Sequence, residues 1–333
     1  MPGGIDSSTY LGEARGQNVE RADDMMSGTK AALAGGTTTV VDVVLAGEGS
    51  LKEALERRKA EVEEEACCDV AFNIGITKWN DEIKDELSEL AKVEGVTWFK
   101  VFFCGEDRML ESNDTVLEVM EAVKEVGGVL VVHAENGLII KENEKRLLAR
   151  GIKGPEGHLM ARPEEVEEES VMRACAMAAQ VNVPLIVSGC TSKAAAAVLA
   201  KAKGQGQPVW GEPPVAALVR DGSHYYNECW THSAGFVSSP PLRDDPDTPD
   251  NLVQALSEGA FQLVGSHHAT YDSEVKEREG RDNFTKIPHG FNGVEERMSV
   301  IWEKAIESKQ MDYQRFVAVT SSNAAKALNI YPR

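Results

Sequence analysis

The feature that most restricts this chain is an alternation repeated from its first residues to residue 267: a short apolar run, a stretch with helical periodicity, then another apolar run. Eight runs stand out: Gly3 to Ser8, Thr37 to Val44, Val70 to Ile76, Thr97 to Phe103, Val129 to His133, Pro184 to Ser188, Pro208 to Glu212 and Gln262 to His267. Their lengths and β-branched content mark them as strands. Strands that alternate with helices imply a parallel sheet. Eight such units predict closure into a (β/α)8 TIM-type barrel, a fold that commonly occupies one domain of this length. The expected domain is therefore the whole of residues 1–333.

The intervening segments carry helix ends that can be recognised. Asp23 to Leu33 closes on Gly35 and Gly36, and Asn80 can cap a helix whose Ile83, Leu87 and Leu90 share one face. Pro163 fits the first position of a long helix running towards Gln180, with acidic residues in the turn where the helix dipole favours them. Two connections are long, Glu212 to Asn251 and His268 to Gly293, and both follow a strand's carboxyl end, the face on which such barrels carry their sites.

Charge narrows the range of partners. With 54 acidic against 35 basic residues the formal charge is −19, which repels nucleic acid and anionic membrane. The tracts Glu61 to Glu65 and Glu164 to Glu169 read as solvated helix faces. No stretch approaches the roughly 18 apolar residues of a membrane span, and the first residues lack the pattern of a signal peptide, so the expected location is cytoplasmic. Six cysteines, Cys67, Cys68, Cys104, Cys175, Cys190 and Cys229, have no CxxC spacing and read mostly as reduced, small core residues.

On a barrel, chemistry gathers where strands end: Ser8 and Tyr10 after strand one, Lys100 in strand four, His133 ending strand five, Gly189 after strand six and His267 ending strand eight. A buried lysine is costly unless paired, so Lys100 marks the site. His267 and His268 are adjacent on a strand, so only one of them can face the barrel axis. Cys104, Cys190 and Ser188 lie near enough for a Cys-His arrangement with His133 or His267, but no spacing supports it and they read as core residues.

Several segments carry a resemblance: Met1-Pro-Gly-Gly-Ile-Asp, Gly28-Thr-Lys-Ala-Ala-Leu-Ala-Gly-Gly-Thr-Thr, His133-Ala-Glu-Asn-Gly, Gly154-Pro-Glu-Gly-His, Arg162-Pro-Glu-Glu-Val, Pro213 through Tyr225 and Asn292-Gly-Val-Glu-Glu-Arg-Met. Together they are similar to the dihydropyrimidinase family, which includes the collapsin response mediator, or dihydropyrimidinase-related, proteins. For the family's enzymes the resemblance implies hydrolysis of cyclic amides at a two-zinc site, where the metals activate water and polarise the carbonyl. It implies as ligands a His-x-His on strand one, a carbamylated lysine on strand four, histidines on strands five and six, and an aspartate on strand eight that is also the general base. It implies further residues before and after this segment that form a small β-sandwich, and the chain is read as lacking that domain.

Carried over position by position, the resemblance leaves Lys100 and His133 in place, puts Ser8, Tyr10 and Gly189 where three histidines belong, and puts His267 at the aspartate. Ser and Tyr are poor zinc ligands and Gly offers no side chain. The tyrosine that would steady the oxyanion is Gly105, and losing one such donor costs on the order of a hundred-fold to a thousand-fold in rate. Ser238 and Asn292 match positions that hold the substrate amide.

These substitutions give the expectation of a non-catalytic cytosolic protein without a cofactor. Its Lys100 is a free amine paired with a nearby acid, and its His133 is a hydrogen-bonded histidine of the core. The resemblance implies a homotetramer and cytoskeletal or signalling proteins as partners. The alternative is a diverged cyclic-amide hydrolase with one zinc, held by Lys100, His133 and His267, or with none, to which Lys100, Pro241-Leu242-Arg243 and Phe284-Thr-Lys-Ile-Pro lend weight. A third reading is a sensor that binds a small amide without turning it over.

Overall fold

Seven of the eight expected strands form, all parallel and paired in chain order: β1 (Gly4–Thr9), β2 (Thr37–Leu45), β3 (Asp69–Gly75), β4 (Trp98–Phe102), β5 (Val129–His133), β6 (Leu185–Ser188) and β7 (Val209–Glu212). These coordinates are a computed structural model that describes residues 1–12, 19–47, 49–105, 107–110 and 112–332. Helices cross between successive strands, and the sheet curls into a TIM-type barrel.

The eighth strand is the main correction. Residues 262–267 occupy the gap between β7 and β1 without regular pairing. Gln262 and Leu263 donate to the Gly211 carbonyl, Gly265 to that of Pro213, and His267 to that of Ser8 at 3.0 Å, while Tyr10 donates to the carbonyl of His268. Asp6 fastens the same segment by accepting from the Ser266 amide at 2.9 Å. His267 adopts a left-handed φ of +53°, which an extended ladder cannot contain. The apolar pattern of the run reports burial correctly, while the backbone turn that breaks the strand leaves no mark in that pattern.

The helix ends follow local chemistry. Asp24 caps the helix Met25–Ala34, its carboxylate accepting from Ser27 while Ser27 reaches back, and Asn80 caps Asp81–Lys92 by accepting from the Ile83 amide. Pro163 stands one residue before the helix Glu164–Val181. Within that helix one acidic residue departs from expectation. Glu167 is 1% exposed, bonded to the Thr191 amide and hydroxyl and paired with Arg243 at 2.5 Å. Arg243 also donates to the Arg162 carbonyl and to Thr191, so a buried charge pins the long connection after β7 to this helix.

Inside the barrel the layers differ. At the amino ends of the strands Ile5, Val41, Trp98, Val131, Ile186 and Leu263 form an apolar floor, closed from below by Ala324, Ala325 and Leu328 of the last helix. The Trp98 indole donates to the Ala327 carbonyl at 3.0 Å. Two residues further along β4 the inward side chain is Lys100, so a single strand step carries the interior from apolar to charged. Between strands and helices lies the larger core, to which Phe99, Val101, Leu130, Val132 and Val187 contribute from the outer faces.

The two long connections are packed. The first holds short helices at Val215–Leu218, Gly222–Tyr226 and Trp230–Gly235, and the second a helix at Ser273–Gly280 and a turn at Phe284–Lys286. Buried Lys276 fastens one to the other by donating to the Ala234 and Gly290 carbonyls, and burial pushes its ammonium down to about 7. Among the described residues no helix is long and apolar enough to cross a membrane.

Candidate functional site

Above the charged layer, at the carboxyl ends of the strands, lies a cavity of about 550 Å³. Tyr10, Phe102, Cys104, Gly105, His133, Ser238, Ser239 and His267 line it, with residues of the long connections. Strand alternation sends Lys100 and Phe102 of β4, His133 of β5, Ser188 of β6 and Glu212 of β7 towards the axis.

Lys100 is fully buried and donates to the Tyr10 hydroxyl at 2.8 Å and to Ser188 Oγ at 3.4 Å. Ser188 donates onward to Glu212 Oε1 at 3.0 Å, and His267 Nε2 meets the same oxygen at 2.8 Å. A lysine, a carboxylate and a histidine are thus joined, the lysine to the carboxylate through the Ser188 hydroxyl and the histidine to it directly. Burial alone would raise the Glu212 carboxyl, but the His267 hydrogen bond and the nearby Lys100 charge hold it below the ordinary carboxylate range. Lys100 finds its acid at one remove, through Ser188. The expectation that Ser188 is merely a small core residue misses this bridging role.

A second cluster sits beside the first. Ser239 donates to Glu135 Oε2 at 2.5 Å and stands 3.2 Å from His133 Nε2, which is itself 3.3 Å from the same carboxylate oxygen. Cys104 Sγ lies 3.8 Å from Glu135 and 4.0 Å from Ser239. Burial lowers the His133 imidazolium against the pull of Glu135. For Glu135 burial works upward, and the bonds from His133 and Ser239 with the Arg162 charge overcome it, holding the carboxyl near about 2. The Cys104 thiol is pushed up to about 12 by burial and by Glu135, and burial also pushes Cys190 far up. Both are protonated thiols, not nucleophiles.

The other expected positions divide. Gly189 adopts φ +87°, and a Cβ there would lie 3.2 Å from His267 Cε1 and 3.8 Å from His133 Nδ1, so this position faces the site without contributing to it. Ser8 is buried against the eighth segment, its carbonyl engaged by His267 and its hydroxyl without a hydrogen-bond partner among the described residues. Gly105 forms part of the rim, where a Cβ would meet Arg108 Cγ at 2.9 Å. Ser238 lines the cavity, but its hydroxyl is turned to the Pro240 carbonyl. Asn292 is exposed and donates to Glu296, outside the cavity lining. His267 and His268 do point apart, towards Glu212 and Asp23 respectively, although the segment is not a strand. Of the cysteines only Cys104, Cys175 and Cys190 are buried.

Several participants escape a reading of strand ends. Glu135 stands two residues beyond His133 in a segment singled out as a whole, and Glu212 ends a run read as a strand without being singled out as a site residue. Arg21 and Arg108 come from connections with no periodicity to place them. Among the described residues six cationic side chains line the cavity (Arg21, Arg57, Arg58, Arg108, Lys141 and Arg162) against three carboxylates (Glu61, Asp107 and Glu144), in a chain whose net charge is −19.

A zinc pair does not fit these residues. The Lys100 amine is taken up by Tyr10 and Ser188, and positions 8, 10 and 189 supply a serine, a tyrosine and no side chain. Cys104, His133 and Glu135 hold ligand atoms within 4.8 Å of one another, the one such group among the described residues. Ser239 already bonds the carboxylate and the imidazole of that group.

The whole chain aligns with curated proteins over its full length. It is 45% identical to a dihydropyrimidinase of Rattus norvegicus, 43% to dihydropyrimidinase 1 of Caenorhabditis elegans and 41% to dihydropyrimidinase-related protein 5 of Homo sapiens. It spans 64%, 68% and 59% of those proteins' lengths, about two thirds or less. Among solved structures, the dihydropyrimidinase of Brevibacillus agri superposes with a TM-score of 0.96 at 33% identity, over 100% of this chain and 72% of that one. No family model matches the chain.

Proposed function

Since this chain belongs to the dihydropyrimidinase family, whose members similar to it include both dihydropyrimidinases and dihydropyrimidinase-related proteins, we propose that it is a non-hydrolytic member acting in the cytosol through self-association and protein binding. The observation that carries this reading is the chain of contacts Tyr10, Lys100, Ser188, Glu212 and His267. A lysine whose amine donates to a tyrosine and a serine is engaged within the protein, and without a carbamate it offers no oxygen to a metal. The positions of four metal ligands in the family's enzymes are filled here by Ser8, Tyr10, Gly189 and His267. Gly105 stands where those enzymes place the oxyanion tyrosine, and Arg108 packs across that space. The same relationship supports assembly as a homotetramer and the binding of cytoskeletal or signalling proteins.

A second reading has one observation in its favour. The Cys104, His133 and Glu135 donors are close enough to converge on a single zinc if Ser239 swings away, which would give a diverged cyclic-amide hydrolase with one metal. The deciding experiment is zinc content of protein produced in zinc-supplemented medium, measured together with hydrolysis of dihydrouracil and hydantoin. The non-hydrolytic reading predicts metal-free protein and no turnover. Stoichiometric zinc with turnover would overturn it.

A further inference from the structure

Tyr10 and Phe102, which line the cavity, stand near three cations, Arg21 and Arg108 of the lining and Lys100 buried beneath it. Arg21 Cζ lies 5.7 Å from the Tyr10 ring centre and 5.1 Å from that of Tyr271; Lys100 Nζ lies 5.2 Å from Tyr10 and 5.6 Å from Phe102; Arg108 Cζ lies 5.6 Å from Phe102. Cations over aromatic faces are attracted by the ring quadrupole, yet that attraction leaves the in-plane N–H donors of a guanidinium unused. Arg21 Nη1 is buried with no hydrogen-bond partner among the described residues. Arg108 donates only to its sequence neighbour Asp107 among those residues. Burial depresses the Arg21 guanidinium from its ordinary value against the pull of Tyr271, Asp42 and Tyr10, and the Arg108 charge adds a little to that depression.

A buried guanidinium nitrogen without a hydrogen-bond partner, sharing a cavity with a second cation, is expensive, and an anion bound between the two would complete it. We propose that this cavity binds a small organic carboxylate, its oxygens held by Arg21 and Arg108 and its apolar part lying against Tyr10, Phe102 and Tyr271. Guanidinium forks match carboxylate geometry. The ring walls favour an anion that also carries an apolar plane over a bare inorganic one. The inference rests on the non-hydrolytic reading only in taking Lys100 as uncarbamylated, so that it adds no anionic group beside the cavity. The arginine contacts stand without it.

Benzoate, its neutral isostere benzamide and inorganic phosphate serve as probes in calorimetric titrations of the full chain. Benzoate is expected to bind, with benzamide weaker by about tenfold or more, as expected for loss of a charge-assisted hydrogen-bond pair. Arg21→Gln and Arg108→Gln should each weaken benzoate to a similar degree. Benzoate should raise the melting temperature of the parent far more than that of Arg21→Gln, each measured against its own unliganded form. Equal affinity for benzoate and benzamide, unchanged benzoate binding by Arg21→Gln, or phosphate binding tighter than benzoate would overturn the proposal. Zinc and turnover measured on the same protein test the non-hydrolytic reading separately, so failure of one leaves the other standing.

Discussion

The floor and the mouth of this barrel are built from the same strands, yet they solve opposite problems. At the floor Ile5, Val41, Trp98, Val131, Ile186 and Leu263 exclude water beneath a helical cap, and the one polar atom of the Trp98 ring is satisfied by Ala327. At the mouth Lys100, Glu212, His133 and Glu135 are almost as deeply buried, but each is held by hydrogen bonds to hydroxyls or to a charged neighbour. The floor gains from dispersion and apolar burial, which tolerate shape changes and penalise cavities. The mouth is an electrostatic network in which removing one member strands the others. Buried charges are tolerated at the mouth because neighbours satisfy them, and Tyr10, Ser188 and His267 do so for Lys100 and Glu212.

The largest expected effect lies at the floor. Trp98→Ala removes a fully buried indole and should cost about 4 kcal/mol in urea unfolding. A loss below about 1 kcal/mol would mean that the floor does not dominate stability. Next comes the mouth. Glu212→Gln leaves Lys100 and His267 without their shared carboxylate and should cost about 3 kcal/mol, the usual scale for breaking a buried pair from one side. The double variant Glu212→Gln with Lys100→Met should recover most of that loss, because the stranded charge leaves with its partner. If the two effects simply add, Lys100 and Glu212 are not coupled through Ser188 and the network description fails.

The smallest effect is a pH dependence at the boundary of the cavity. His158 donates from Nε2 to the Ser238 carbonyl at 2.6 Å and accepts at Nδ1 from Arg162 at 3.1 Å, so the folded protein needs it neutral. Burial and the Arg162 charge hold its imidazolium well below the ordinary histidine value of 6.5. The unfolded chain takes up a proton near that value that the folded chain refuses, so stability is fully present above it and falls as pH drops below it. Between pH 7.5 and 6.0 the loss from this residue should be about 1 kcal/mol, and His158→Gln should remove that increment. An unchanged pH dependence in the variant would show that His158 carries no such linkage.

The floor was far more legible in the sequence than the mouth. Runs such as Val129 to His133 declare both strand and burial, and Asn80 announces a helix start through a contact within three residues. The eighth run declared burial alone, because the left-handed His267 that breaks it is set by closure between β7 and β1. Lys100 was visible as a costly buried charge, but its partners are 90 and 88 residues distant and could not be read from spacing. Glu167 looked solvated because its neighbours are acidic; only the fold brings Arg243 to it, 76 residues away. Asn292 was assigned to the site by resemblance, and its side chain turns outward to Glu296.

The central claim is that Lys100 is an uncarbamylated amine within a protein hydrogen-bond network. It is tested most directly by 13C NMR of the protein equilibrated with 13C-labelled bicarbonate and zinc, beside Lys100→Met as the blank. The account predicts identical spectra with no carbamate resonance in either. A carbamate signal present in the parent and lost in Lys100→Met would contradict it.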